Sequence, residues 1–340
     1  MNVERLSFAT RQEYARCFTN PSYWQAYVAA ICTRHELGEC TTVRAGFPGT
    51  NPVFIVNETY VIKLYSDLFD GERSFLVEHE VYRLIATQPD LPAPSLVASG
   101  ELFDAHDGWS WPYIVTQIIP GLSMSESELS DTDRLAIATW LGPVVRRLHA
   151  LPLVEAGPLL PRWEPFLQFL AEQRAEVVNN HVRWGVLPAH LVAQIERYLP
   201  DLTELIDTDE TPALIHCDLT SDHVLGESIT GHWQPSGIID FGDAKVGDRM
   251  YELVALHLGL FDSNRQLLWT FLDAYGFDTA LQRDFVRKAM SMTLLFEFNV
   301  CSHIFKNIPA AASASTLEEL AELLWGRALT SCGCSEVFTV

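Results

Sequence analysis

The sequence predicts an α+β chain in two lobes, a small β-rich one over residues 1–120 and a larger, mainly helical one over 121–340. Three observations carry this. A glycine-bearing turn and two β-rich runs fill residues 43–65, another apolar strand from Trp111 to Ile119 closes at Pro120-Gly121, and from Thr132 onward the apolar spacing is helical almost throughout. A ligand is expected in the cleft between the lobes.

Each element has its own signal. Residues 1–40 supply one or two leading helices, including Pro21 to Thr33. The hairpin places β-rich runs on either side of the polar Asn57-Glu58-Thr59. Ser74 to Ala86 carries Phe75, Val81, Tyr82 and Ile85 at helical spacing, with Glu78 in the same register and Glu80 to one side; Leu91-Pro92-Ala93-Pro94 ends it. A long helix from Thr132 to Ala150 finishes in Arg146, Arg147 and His149. Short apolar segments before Asp218 and before Asp240, with Val224-Leu225 between them, read as strands of one hairpin. Leu317, Leu320, Leu323 and Leu324 form the inner face of a closing helix over 316–330.

Composition narrows the function. At 340 residues and 48% apolar, the chain can bury one large core or two lobes. The first thirty residues hold no uninterrupted apolar stretch, and nowhere do about 18 apolar residues run together, so a soluble, cytoplasmic chain without a membrane partner is expected. Seven cysteines without a regular framework suit reduced thiols, and Cys332-Gly333-Cys334 reads as a loose tail rather than a soft-metal site. A net charge of -21 argues against nucleic acid, which needs clustered cations, and permits a cationic partner. Lysine occurs only at 63, 245, 288 and 306, so Lys63 inside a strand stands out.

Asp218 follows the apolar Ala213-Leu214-Ile215 and precedes a polar loop, and Asp240 follows Gly237-Ile238-Ile239 and precedes Phe241-Gly242. Single aspartates commonly serve turns and helix caps. Two of them leaving adjacent strand ends can converge on one cavity, as phosphoryl transfer requires: one carboxylate to orient an attacking hydroxyl and accept its proton, another to hold magnesium against nucleotide phosphates.

His216-Cys217-Asp218-Leu219, Ile239-Asp240-Phe241-Gly242-Asp243-Ala244 and Gly247-Asp248 together resemble the aminoglycoside phosphotransferase family, which shares a protein-kinase-like fold with choline and homoserine-type kinases. The similarity runs from Val43 to Phe261, and Val61-Ile62-Lys63 is similar to the kinase lysine strand. The resemblance implies that Lys63 grips the α- and β-phosphates of ATP or GTP, oriented by a helix carboxylate, for which Glu78 is preferred over Glu80 by register. Asp218 becomes the catalytic base and Asp240 the Mg2+ ligand, with Asp248 bracing the catalytic loop. The Gly46-Phe47-Pro48-Gly49-Thr50-Asn51 turn, with Gly46, Gly49 and Thr50 allowing close approach, covers the phosphates. Gln117 and Ile119 occupy the hinge that offers backbone groups to the purine.

One position departs from the family pattern. His223 stands where an asparagine usually supplies an amide oxygen to magnesium, and an imidazole nitrogen is a poorer partner for that hard cation. Asp262, Glu297 and His303 lie in helical segments where the family gathers acceptor-binding groups. The expectation is a monomeric or homodimeric O-phosphotransferase acting on a cationic small-molecule hydroxyl, aminoglycoside-like and of the hygromycin type first, conferring antibiotic resistance. A metabolic kinase for choline, a sugar or an amino alcohol keeps the same machinery. A nucleotide-binding regulatory protein without transfer activity is the reading His223 favours. No activation segment ending in Ala-Pro-Glu follows Asp240, which argues against a protein kinase.

Overall fold

The computed structural model describes residues 4–47, 49–277 and 284–327. Its N-terminal lobe is built on five antiparallel strands, β1 (Val43–Ala45), β2 (Val53–Val56), β3 (Tyr60–Leu64), β4 (Leu96–Glu101) and β5 (Pro112–Gln117), in spatial order β1-β2-β3-β5-β4. At the β2–β3 turn Asn57 and Glu58 both adopt positive φ, 52° and 47°, the primed turn geometry that matches the twist of paired strands. Asn57 is anchored there by N–H donors from Thr41 and Thr42 to its side-chain oxygen, at 3.0 and 3.1 Å.

The period of two along these strands decides what faces the cleft. Phe54, Val56, Ile62, Leu64, Tyr113 and Val115 point outward into a core completed by Trp24, Val28 and Ile31. Those three belong to α2 (Pro21–Arg34), which follows the short α1 (Arg11–Ala15) and buries an i, i+4, i+7 stripe. The alternate residues, Val53, Ile55, Val61, Lys63, Ile114 and Thr116, line the cleft. Strand β4 carries no alternating signal in the sequence: it is an edge strand, half-buried at most, with an irregularity between Leu96 and Ala98.

Helix α3 (Gly71–Ile85) buries Val77, Glu78, Val81, Tyr82 and Ile85, and its apolar residues join the same core as the helical lobe. The chain crosses into that lobe after β5. Gly121 has φ 107°, and a Cβ there would lie 2.1 Å from the Gly226 carbonyl oxygen, so only glycine fits the crossing. Next come β6 (Leu122–Ser123), α4 (Asp131–His149), which opens on a Ser130/Asp133 capping box, and α5 (Glu164–Trp184). Gly142 of α4 lets the Arg265–Tyr275 helix approach, since a Cβ would meet the Tyr275 nitrogen at 2.5 Å.

The expected single hairpin around the two aspartates is not what forms. β7 (Ala213–Ile215), which leads to Asp218, pairs with β10 (Lys245–Gly247). The strand leading to Asp240, β9 (His232–Ile238), pairs with β8 (Val224–Ile229), which also takes β6 on its other edge. Two nested ladders bring the strand ends together where a hairpin between β7 and β9 would not. The closing helix spans Leu317–Trp325; Leu317, Leu320 and Leu324 are buried, Leu323 is half-buried, and Trp325 adds a fully buried ring. Cys332 and Cys334 lie outside the described residues, and the five described cysteines are free thiols. Among the described residues, no helix is long and apolar enough to cross a membrane.

Candidate active site

Between the lobes lies a cleft of about 820 Å³. From its roof, Lys63 on β3 reaches down to two carboxylates, Glu78 Oε2 at 2.6 Å and Asp240 Oδ1 at 2.8 Å. Glu78 is held from both sides by buried phenols: Tyr65 donates to Oε2 at 2.7 Å and Tyr82 to Oε1 at 3.2 Å. Burial pushes the Glu78 carboxyl above its usual range, with Lys63 opposing. Burial also works against the Lys63 charge, but Asp240 and Glu78 outweigh it and hold the ammonium above its ordinary value. Asp240 goes the other way: Lys63 and His223 overcome the partial desolvation of its place in the cleft and keep it well below the usual carboxylate range. The other helix carboxylate, Glu80, is turned to Arg83 at 3.0 Å.

The floor comes from the loops after β7 and β9. Each carries a non-glycine residue in the left-handed region, Cys217 at φ 69° and Asp240 at φ 66°, a conformation that costs of order 1 kcal/mol and persists only where surroundings enforce it. Enforcement here is a set of cross-links. The His216 Nε2–H donates to the Ile239 carbonyl at 2.9 Å while its Nδ1 accepts the Asp218 N–H at 3.3 Å, so a neutral imidazole ties the two loops. Burial lowers the His216 pKa, which suits that neutral form. Ile239 N–H donates to His223 O at 3.0 Å, and His223 Nδ1–H donates to the Asp218 carbonyl. His223 Nε2 is thereby left facing Asp240 Oδ2, 3.9 Å away. The Asp218 carboxyl is raised to about 6, mainly by burial, with His223 opposing and Asp243, Asp240 and Asp222 adding to the rise.

A third contact, missed in the sequence, braces the floor from behind. Glu252 is fully buried and accepts the His216 backbone N–H, with His149 Nε2 at 3.7 Å. The role expected of Asp248 therefore falls to Glu252. Asp248 instead caps the Arg249–Ala255 helix through the Met250 N–H at 2.7 Å and pairs with Lys288 at 2.8 Å. A glutamate one turn inside a helix gives no sequence signal of this, because its partner lies 36 residues away.

The remaining expected residues divide. Gly46, Gly49, Thr50, Gln117 and Ile119 all line the cleft. Gly46 is required by the fold, since a Cβ would lie 2.6 Å from Val53 Cγ1, whereas a Cβ on Gly49 would meet nothing within 4 Å. In the hinge, the Gln117 and Ile118 N–H groups are committed to Ser95 and Thr59 carbonyls, both at 2.9 Å, while Ile119 N–H has no backbone partner among the described residues. The structure does not bring Asp262, Glu297 or His303 to the cleft lining. Asp262 is exposed and pairs with Arg134 at 3.2 Å; Glu297 turns inward to Lys245 at 2.7 Å, a lysine that also lies over the Phe169 ring; His303 sits on the Cys301–Asn307 helix. The cleft lining includes instead Asp222, Asp243 and the exposed ring of Phe298.

A family model described as the phosphotransferase enzyme family matches residues 43–285. The chain belongs to that family. Among solved structures it is similar to the GDP complex of aminoglycoside 2′-phosphotransferase-IIIa, with a TM-score of 0.60 at 20% identity over 90% of this chain and 97% of that one. The ADP-bound aminoglycoside phosphotransferase APH(2″)-Ib gives 0.56 at 17% identity, covering 88% and 99%. APH(3″)-Id from Streptomyces rimosus gives 0.51 at 19%, covering 78% and 98%. These likenesses place the chain in the protein-kinase-like fold. Among curated proteins, lysine-specific demethylase JMJ21 of Arabidopsis thaliana is 26% identical over 269 residues, 63% of this chain. The match spans 28% of that relative's length.

Proposed function

We propose that this phosphotransferase moves the γ-phosphoryl group of ATP or GTP to a hydroxyl of a cationic, aminoglycoside-like small molecule. The observation that carries the reading is the convergence of Lys63, Asp240 and Asp218 on one cleft between the lobes. Lys63, held by Glu78, would bind the α- and β-phosphates, and the Gly46–Asn51 turn would cover them. Ile119 N–H would donate to the purine, with Gln117 beside it. Asp218 takes the proton as the acceptor oxygen forms its bond to the γ-phosphorus and the bond to the β-phosphate oxygen breaks, releasing the nucleoside diphosphate. A carboxyl raised to about 6 is a stronger base than an ordinary aspartate and still ionised at neutral pH.

Among the described residues no group of three or more His, Cys, Asp or Glu side chains is placed to hold a metal, so a divalent cation here would take two protein donors and complete its shell with phosphate oxygens and water. Asp240 Oδ2 and His223 Nε2 are 3.9 Å apart, close enough to share an ion, and the Nδ1 bond to the Asp218 carbonyl leaves the Nε2 lone pair free. Mg2+ held there would draw charge from the phosphate oxygens as the phosphoryl group is transferred. If His223 is a ligand, His223→Asn exchanges nitrogen for an amide oxygen. The Mg2+ concentration for half-maximal turnover is then expected to stay equal or fall, while any preference for Co2+ over Mg2+ shrinks. Superimposable titrations for both metals would place His223 outside the coordination shell.

Three carboxylates, Asp218, Asp222 and Asp243, with Phe298 at the acceptor end, favour a cationic acceptor that also presents an apolar face. A metabolic kinase for choline, a sugar or an amino alcohol is the second reading, favoured by the absence of Asp262, Glu297 and His303 from the cleft lining. The deciding experiment measures ADP and GDP release stimulated by aminoglycosides, hygromycin B first, against choline, amino alcohols and neutral sugars. Stimulation by aminoglycosides alone supports the first reading, stimulation by choline or sugars the second, and none by any acceptor removes both.

A further inference from the structure

Residues 1–42 precede the stretch that matches the family model, yet α1 within them touches residues that line the cleft. Tyr14 of α1 is 2% exposed, and its hydroxyl donates to the Thr50 carbonyl at 2.6 Å. Thr50 lies in the turn placed over the phosphates, and both Thr50 and Asn51 line the cleft. Because the Thr50–Asn51 peptide is trans, its C=O and N–H point in opposite directions. Drawing the carbonyl outward to Tyr14 therefore turns the Asn51 N–H inward, as an anion-binding turn needs. Asn51 is fixed in its turn by the Ser66 N–H, which donates to its side-chain oxygen at 3.2 Å. The same helix holds the facing wall. Arg11 donates to the Leu68 carbonyl at 3.3 Å and lies 4.9 Å from the centre of the Phe69 ring, which also lines the cleft.

Building on the phosphotransferase reading, we infer that Tyr14 is a positioning residue for the triphosphate. The leading helix acts as a clamp that sets which way a peptide of the covering turn presents its N–H. Shape alone does not account for the contact. The Tyr14 ring already packs on Phe18 at 5.3 Å and Phe8 at 5.3 Å, so what the hydroxyl adds is polar: its bond to the Thr50 carbonyl and its contact with the Ser66 side chain, whose own N–H holds Asn51.

Tyr14→Phe keeps that packing and removes the polar contacts of the hydroxyl with Thr50 and Ser66. Its test is equilibrium binding of ATP and GTP with Mg2+, set against adenosine and guanosine, in wild type and variant, with melting temperature as a check on folding. The expected result is a loss of about five- to tenfold in triphosphate affinity, the effect of one hydrogen bond. Nucleoside affinity should stay within about twofold. Equal losses for nucleoside and triphosphate, or no loss for either, would overturn the clamp and leave the phosphotransferase reading intact. A wild-type chain that bound neither triphosphate would remove that reading and the clamp together.

Discussion

Asp218→Asn is expected to lower turnover by about a hundredfold or more while nucleotide affinity stays within about twofold, because the amide keeps the shape of the side chain and loses its basicity. The loop should survive the change. Its geometry rests on the Asp218 backbone, whose N–H bonds to His216 Nδ1 and whose carbonyl takes the His223 Nδ1–H. A pH profile supplies a second readout. With the carboxyl raised to about 6 in the free enzyme, kcat/KM of the wild type should be level above about pH 7 and fall about tenfold per unit well below 6, since the protonated acid cannot accept the hydroxyl proton. Asp218→Asn should abolish that limb. Unchanged turnover in the variant would remove Asp218 from the base role, and a residual limb at the same pH would assign the titration to another group.

Lys63→Met should be the costliest single change to both activity and stability. It removes the ammonium between Glu78 and Asp240 and, in the proposed reading, the donor to the phosphates, for a loss of about a hundredfold to a thousandfold in kcat/KM. Stability should fall by about 3 kcal/mol, because a carboxylate at 2% exposure is left with two phenols and no counter-charge. Asp240 contributes less, since its side chain is 44% exposed and water replaces much of the pairing. The sign of the pH dependence follows from Glu78. Its pKa is raised in the folded state even with Lys63 present, and removing the ammonium raises it further. The folded variant then binds a proton that the unfolded chain does not, so the deficit should be largest toward alkaline pH and shrink as pH falls through the raised Glu78 pKa. Denaturant unfolding at several pH values measures this; a deficit independent of pH would mean that Glu78 is not the group left unpaired.

The parts of the site that were legible share one property: each sits in a short string whose meaning is local. Lys63 sits in an alternating strand, Glu78 shares the register of its helix's apolar face, and Asp218 and Asp240 follow apolar segments; spacing put the two aspartates at strand ends, and the family resemblance tied Lys63 and Glu78 to them. Strand β4 was not legible because an edge strand needs no alternation. The pairing of β7 with β10 was not legible because it joins segments 30 positions apart at Ile215 and Lys245, across the local β8–β9 hairpin. Glu252, Tyr65 and Tyr82 look like ordinary interior residues until their partners, His216 and Glu78, are placed beside them. Asp262 and Glu297 were misplaced for the same reason. Their charges are met by Arg134 and Lys245, which lie 128 and 52 positions away and cannot be paired by inspection of a helix.

Chain order and residue type thus settled the two-lobed α+β class, the strand lysine, the helix carboxylate in register with the core, and the two aspartates at strand ends, since these depend on periodicity and on turns spanning a few residues. Folding decided which carboxylate braces the Asp218 loop, which histidine nitrogen faces Asp240, which acids line the cleft, and that a helix ahead of the family region reaches Thr50. Those outcomes turn on distances between groups remote in the chain, where burial and competition for hydrogen-bond partners select one arrangement among many that the same local patterns allow.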